Sequence, residues 1–154
     1  MQVREVDVAI IGAGTACMTA YRIAREHTDN LLVIESSHYG TTCARVGCMP
    51  SKLLIVAAEV NHQIGEAGKF GIDVSSSTVD GARVMARVKA ERDRFVGFVE
   101  EAVDDWPAEH KLWGKAKFVG PNELMADGGV RVIAKRIVIA AGTWPAIPTP
   151  GSAL

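Results

Sequence analysis

A short apolar run, Val6-Asp7-Val8-Ala9-Ile10-Ile11, stops at Gly12, and after Gly12-Ala13-Gly14 the chain enters a helix-forming segment, Thr15 to His27. A second apolar run, Leu31 to Ile34, follows and is closed by Glu35. Few architectures accept that order. A β-branched run without alternation is the mark of a strand buried on both faces, which occurs in parallel sheets. Two neighbouring parallel strands need a crossover, and the segment between these runs has the length and composition of a helix. The first 35 residues therefore read as a βαβ unit of an α/β fold.

The glycines add a ligand. Gly12 allows a tight turn, and Gly14 lets a pyrophosphate approach the backbone. The helix that begins there offers unpaired N–H groups and a partial positive charge to an anion. Glu35, 23 residues beyond Gly12, can accept hydrogen bonds from ribose hydroxyls. The competing reading is a tight turn with no ligand. Cys17 stands where the third position of such a turn is normally Gly or Ala. The expectation is a tolerated fit with some local displacement and a buried, inert thiol.

The remaining chain continues the α/β pattern. Met49 to about Gly65 reads as a helix with Leu53, Leu54, Val56, Ala57, Val60 and Ile64 on or near one face, and Pro50 suits its first turn. Gly68 to Ser77 reads as a loop. A long helix follows from about Val79 to Val103, begun by Thr78 or Asp80, with its charges on a solvated face. Leu112 to Val119, Glu123 to Ala126 and Val130 to Ala134 read as three short strands of an antiparallel β-meander. Arg136 to Ala140 returns to the buried-strand pattern, and Ile147 to Gly151 reads as a linker. A chain of 154 residues is about one domain long. Its net charge of −1 favours neither nucleic acid nor an acidic membrane surface. Met1 to Asp7 lacks the apolar run of a signal peptide, and no run approaches a membrane span. The expected setting is the cytoplasm, where three cysteines are more often catalytic or buried than structural bridges.

Two of those cysteines, Cys43 and Cys48, lie in Tyr39-Gly40-Thr41-Thr42-Cys43-Ala44-Arg45-Val46-Gly47-Cys48-Met49-Pro50-Ser51-Lys52. Residues five apart in an ideal helix have Cα atoms roughly 8–9 Å apart, whereas a disulfide needs about 4.4–6.8 Å. A bridge therefore requires a distortion, from Gly47 or from Cys43 lying ahead of the helix. A thiol at a helix N-terminus is acidified, and Arg45 and Lys52 add positive potential. The pair reads as a dithiol that cycles with a disulfide. Half of a metal site and two ordinary buried thiols are the alternatives, the first disfavoured by zinc spacing despite nearby His38.

Taken together, these motifs resemble the flavin-dependent pyridine nucleotide–disulfide oxidoreductases, over essentially the whole chain. The family pattern Gly-Gly-Thr-Cys-x-x-x-Gly-Cys-x-Pro-Ser-Lys is met at 40–52, with Thr41 in place of the second glycine. Its Ala-Thr-Gly-Ser-x-Pro pattern is met as Ala140-Ala141-Gly142-Thr143-Trp144-Pro145. Pro50-Ser51-Lys52 is similar to the dihydrolipoamide dehydrogenase and mercuric reductase branches. The resemblance implies a Rossmann-like FAD-binding domain. Gly12, Gly14 and Glu35 would hold the adenosine diphosphate half of FAD, with Thr42 near the pyrophosphate and the backbone at Ala116 near the adenine. Gly142 would line the same cofactor. Cys48 would be the thiol beside the flavin ring, Cys43 the thiol that meets substrate, and Lys52 the neighbour of the reactive flavin nitrogen.

The implied activity moves electrons between dihydrolipoamide and NAD through FAD and the Cys43–Cys48 pair, with mercuric ion or another disulfide as the alternative substrate. The implied partner is a small-molecule or lipoyl-domain disulfide, and the implied full-length enzyme is a homodimer. The nicotinamide domain and the family's His–Glu acid–base pair have no counterpart here, since neither His62 nor His110 carries its signature. Residues 1–147 thus read as the first segment of an FAD-binding domain, and 148–154 as the start of a linker to an NAD-binding domain. In isolation the expectation is an inactive cofactor-binding module.

Overall fold

The computed structural model describes residues 2–143 and Ala146. The expected boundary at 147/148 and the Trp144-Pro145 part of the second motif lie outside the described residues. The chain forms two compact units, one running up to His38 and resuming at Ala108, the other spanning Tyr39–Pro107.

The first unit is built on one six-stranded sheet. Its elements are β1 (Gln2–Ile11), α1 (Thr15–Arg25), β2 (Leu31–Glu35), β3 (Lys111–Trp113), β4 (Ala116–Gly120), β5 (Glu123–Ala126) and β6 (Val130–Ile139). The strand order is β3-β2-β1-β6-β5-β4. β1 pairs in parallel with β2, Val8 opposite Leu31 and Ile11 opposite Ile34, and with β6 from Gln2–Val130 to Ile11–Ile139. β3 continues the parallel part, with Glu35 opposite Trp113. β5 is antiparallel to both β6 and β4.

The α/β fold and its meander are as expected, with two differences. The segment Leu112 to Val119 is two strands, because Gly114 turns the chain at φ +156° and Lys115 N–H bonds Asp127 Oδ2 at 2.9 Å. Conversely, Val130 to Ala134 and Arg136 to Ala140 are one strand, shared by the meander and the parallel part. Lys135-Arg136 looks like an interruption in sequence. In the fold, Lys135 Nζ meets the Asp7 carboxylate of β1 at 2.6 Å, so a charge is accommodated inside a continuous strand.

Four successive residues of β2, Leu31 to Ile34, are buried, as a strand covered on both faces must be. Leu32 and Ile34 join Val6, Ala9, Leu124 and Val132 in the core. Alternation turns Leu31 and Val33 to the other face, where α1 contributes the buried Cys17 and Tyr21.

The second unit is helical: α2 (Thr42–Val46), α3 (Cys48–Glu66) and α4 (Gly81–Asp104). A tight turn, Ala67–Phe70, opens the stretch expected as loop. α4 starts two residues later than Val79 because Asp80 is its cap, accepting the Arg83 N–H at 3.0 Å. The apolar face expected on α3 is only partly packed. Leu53, Ala57 and Ile64 are half-buried, but Leu54, Val56 and Val60 are exposed, and α3 has no buried residue. No helix among the described residues is long and apolar enough to cross a membrane.

Candidate functional site

In the first unit, the candidate site lies at the carboxyl ends of the parallel strands. From β1 the chain steps to β2 on one side, while β6 lies on the other, so Gly12 sits where the strand order reverses. Open α/β sheets bind ligands at such points. Three backbone bonds of 2.8 Å close this edge: Gly12 N–H to Ile34 O, Gly114 N–H to Glu35 O, and Ala140 N–H to Ile11 O.

The two turn glycines are required for different reasons. Gly12 has φ +100°, and a Cβ there would lie 2.3 Å from Ala140 O. It is a packing glycine at the crossing of β1 and β6. Around Gly14 a Cβ would meet nothing within 4 Å. Gly14 caps α1 without any side-chain hydrogen bond, and the first turn carries no acid. The N–H groups of Thr15, Ala16 and Cys17, the first turn of α1, therefore lack intrahelical partners. That donor set fits a pyrophosphate.

Glu35 does more than wait for a ribose. Its Oε2 accepts the Ala13 N–H at 2.8 Å, and Oε1 accepts the Ser36 and Ser37 N–H groups at 2.7 and 2.8 Å. Three of roughly four acceptor positions are used by backbone, which fixes the carboxylate against the glycine turn and leaves capacity for one further donor. Cys17 fits at the third position with α1 unbroken and its side chain fully buried. Burial, and then the Glu35 charge, push its thiol up to about 12, so it is inert at neutral pH. Ala116 opens β4 opposite Ala126, with its side chain against the core, three residues after Trp113 leaves Glu35. Gly142, at φ +71° and exposed, lies two residues past the Ala140 that meets Gly12.

The second unit holds the dithiol. Cys43 lies in α2, Gly47 breaks the helix at φ −125°, ψ −113°, and Cys48 is the first residue of α3. The distortion required for a bridge is thus at Gly47. Both cysteines are free thiols, Cys43 half-buried and Cys48 exposed. The neighbouring Cys48 side chain, and then partial burial, raise the Cys43 thiol above its ordinary value, against the lowering pull of the Cys48 backbone and Lys52. Cys43 is therefore not an acidified thiol. Thr42 and Lys52 are both exposed, at the start of α2 and in the second turn of α3. Among the described residues no group of His, Cys, Asp and Glu has the arrangement of a metal site.

Several contributing residues carry no signal that singles them out in sequence. The partners of Glu35 at Ala13, Ser36 and Ser37 are backbone groups, so their side chains announce nothing. Thr41 had a readable signal: a threonine ahead of a short helix is a capping residue, and its Oγ1 accepts the Ala44 N–H at 3.1 Å. The departure from a double glycine therefore gives α2 a cap. Ser51 donates to the Cys48 carbonyl at 3.0 Å and so anchors the first turn of α3.

Residues 6–153 match the family described as pyridine nucleotide-disulphide oxidoreductase. The chain is 31% identical to a glutathione reductase of Burkholderia cepacia, over 96% of this chain and 32% of that protein. It is 35% identical to a mercuric reductase of Shigella flexneri, over 93% of this chain and 26% of that one. It is 32% identical to a mycothione reductase of Mycobacterium tuberculosis, over 92% of this chain and 32% of that one. The chain thus spans about a quarter to a third of the length of these relatives.

Proposed function

Since the chain belongs to the pyridine nucleotide-disulphide oxidoreductases, we propose that it is the FAD- and dithiol-bearing part of a flavin disulfide oxidoreductase. The single observation that carries this is a pair of free thiols on either side of the helix break at Gly47, in a chain that also has a strand–glycine turn–helix with nothing beside Gly14. FAD supplies a two-electron carrier. Gly12, Gly14, the first N–H groups of α1 and Glu35 would hold its adenosine diphosphate half. Ala116, Gly142, Thr42 and Lys52 are the further residues assigned to it.

The chain's own chemistry is thiol exchange. One sulfur of the pair, as thiolate, attacks a substrate disulfide and forms a mixed disulfide, releasing one substrate thiol. The second sulfur resolves it, releasing the other. Cys43 and Cys48 are oxidised to a disulfide, and the substrate is reduced to two thiols. In the opposite direction a dithiol substrate reduces the bridge. We assign the substrate-facing role to Cys43 and the flavin-facing role to Cys48.

Pro50-Ser51-Lys52 supports dihydrolipoamide as the substrate, with NAD as the final acceptor in a further domain and a homodimer as the working form. The named relatives support a mercuric or low-molecular-weight disulfide substrate equally well. A cytoplasmic setting belongs to the proposal, because it keeps an exposed pair such as this reducible. The first test is titration of the 154-residue chain with FAD, followed by flavin fluorescence. Saturable binding that Gly14→Ala weakens at least tenfold is expected, and absence of binding overturns the proposal. NADH oxidation by the full-length protein with lipoamide, mercuric ion or glutathione disulfide then decides among substrates.

A further inference from the structure

We propose that Gly47 is the positioning residue of the dithiol: its missing side chain lets the start of α3 close onto the backbone of Thr42 and Cys43, and this closeness sets how readily the two sulfurs join. The inference rests on the redox reading of the pair and deepens it.

A Cβ at position 47 would lie 3.2 Å from Thr42 O, 3.3 Å from Cys43 Cα and 3.7 Å from Cys43 O. The first two are inside the optimal contact distance of about 3.5–4.0 Å. All three atoms are backbone of α2, so none can swing aside as the end of a flexible side chain can. An added methyl must push α2, and Cys43 with it, away from Cys48. The other end of α2 is fixed as well. Thr41 Oγ1 accepts the Ala44 N–H at 3.1 Å, and Thr41 O accepts the Arg45 N–H at 3.2 Å. Cys43 therefore sits in a single turn held by a cap before it and a close backbone contact after it. The outcome is a break at Gly47 between two helices that each carry one cysteine, where an unbroken helix would separate the Cα atoms by roughly 8–9 Å.

Forming the bridge removes two electrons and two protons from Cys43 and Cys48, and oxidised dithiothreitol takes them up to become the dithiol. The equilibrium constant of that exchange measures how well the fold preorganises the pair. The test equilibrates the 154-residue chain with oxidised and reduced dithiothreitol, quenches by alkylation, and counts modified cysteines by mass. Gly47→Ala is expected to lower the constant about tenfold, equivalent to a potential about 30 mV less negative. Thr41→Val, which removes the cap without adding bulk, is expected to lower it a few-fold. Gly65→Ala lies in the same helix where a Cβ meets nothing within 4 Å, and should leave the constant unchanged.

A folded Gly47→Ala chain with a constant within twofold of the parent overturns the inference, as does an equal loss in Gly65→Ala. Should Gly47→Ala not fold, Thr41→Val decides, and an unchanged constant there also overturns it. Failure of the parent chain to form any Cys43–Cys48 bridge is a different result: it defeats the redox reading itself.

Discussion

Gly12 and Gly14 are one residue apart, yet the structure gives them separable jobs, and substituting each by alanine exposes the difference. At Gly12 alanine faces two costs. The φ of +100° puts an L-residue on the positive side of the map, at roughly 1–2 kcal/mol by analogy with left-handed residues. Its Cβ would also stand 2.3 Å from Ala140 O and 2.8 Å from Ala140 C. Relief requires the β1 and β6 ends to part, straining the Ala140 N–H to Ile11 O bond of 2.8 Å. Forced backbone shifts of this kind cost about 1–3 kcal/mol. The sum, about 2–5 kcal/mol, is a large share of a typical stability of about 5–15 kcal/mol. At about 2–4 °C per kcal/mol for a chain of this size, Tm should fall by roughly 10 °C. At Gly14 the backbone is extended at φ −87° and no atom lies within 4 Å of the new Cβ. Only a modest loss of capping is expected, under about 1 kcal/mol. The methyl occupies the space where a pyrophosphate would meet the N–H groups of α1, so FAD affinity should drop at least tenfold. Circular dichroism melting and FAD fluorescence titration on both variants read the two effects. The reasoning is refuted if Gly14→Ala lowers Tm as much as Gly12→Ala does. A Gly12→Ala melt within about 2 °C of the parent refutes it equally, given the cost worked out above.

Much of this arrangement was legible in sequence because its determinants are local. The apolar run before Gly12, the helix-forming segment after Gly14 and the acid closing β2 are contiguous, and periodicity reads contiguous patterns well. What sequence could not show was why Gly12 is needed, because Ala140 is brought against it by the β1–β6 pairing. Lys135 illustrates the same limit. A charged residue within an apolar run reads as a strand end until Asp7 is known to lie beside it. Gly114 did the reverse: inside a run of apolar and basic residues it looked tolerable, but its conformation and its contact with Asp127 make it a corner.

The dithiol was legible to a different depth. Spacing and helix geometry alone required a distortion between Cys43 and Cys48, and Gly47 was the available place. That the Cys43 thiol is raised was not legible, since that depends first on the Cys48 side chain beside it. The expectation for α3 failed in part for a physical reason. Its residues from Leu53 to Ile64 are apolar over more than one face, so a helical pattern identified the helix without identifying what each side meets. Leu54, Val56 and Val60 remain exposed as a result.

Three further predictions follow from single side chains. Cys48→Ala removes the side chain that is the largest cause of the raised Cys43 thiol, so Cys43 should alkylate faster at pH 8 by mass-resolved kinetics; an unchanged or slower rate contradicts the assignment. His110 is buried between the Tyr21 hydroxyl on Nδ1 at 2.8 Å and the Asp29 carbonyl near Nε2 at 2.9 Å. A carbonyl only accepts, so Nε2 donates to the Asp29 carbonyl, and in the neutral ring Nδ1 accepts from the Tyr21 hydroxyl. His110→Ala removes both hydrogen bonds, costing about 1–3 kcal/mol, measured as a lower urea midpoint; a midpoint matching the parent rejects the network. Cys17 gives a stability change with a definite pH window. Its thiol has an ordinary value of 9.0 and is pushed up to about 12 in the fold. Below pH 9 folded and unfolded chains both keep the proton, and the full contribution is present. Between pH 9 and 12 the unfolded chain releases it while the folded chain does not, so stability falls as pH rises, and the contribution is lost above the folded value. The slope approaches about 1.4 kcal/mol per pH unit, or roughly 2 kcal/mol between pH 9 and 10.5. Tyr21, raised by burial and, as the smallest cause, by Cys17, titrates in both proteins, so the difference between their urea midpoints at pH 8 and 10.5 reports the thiol together with its small effect on Tyr21. Cys17→Ala should lose less stability over that interval, and Cys17 in the parent should resist iodoacetamide at pH 8 while Cys48 reacts. Parallel pH slopes in the two proteins, or Cys17 alkylating as fast as Cys48, would show that the third position of the turn is not the sealed site its burial describes.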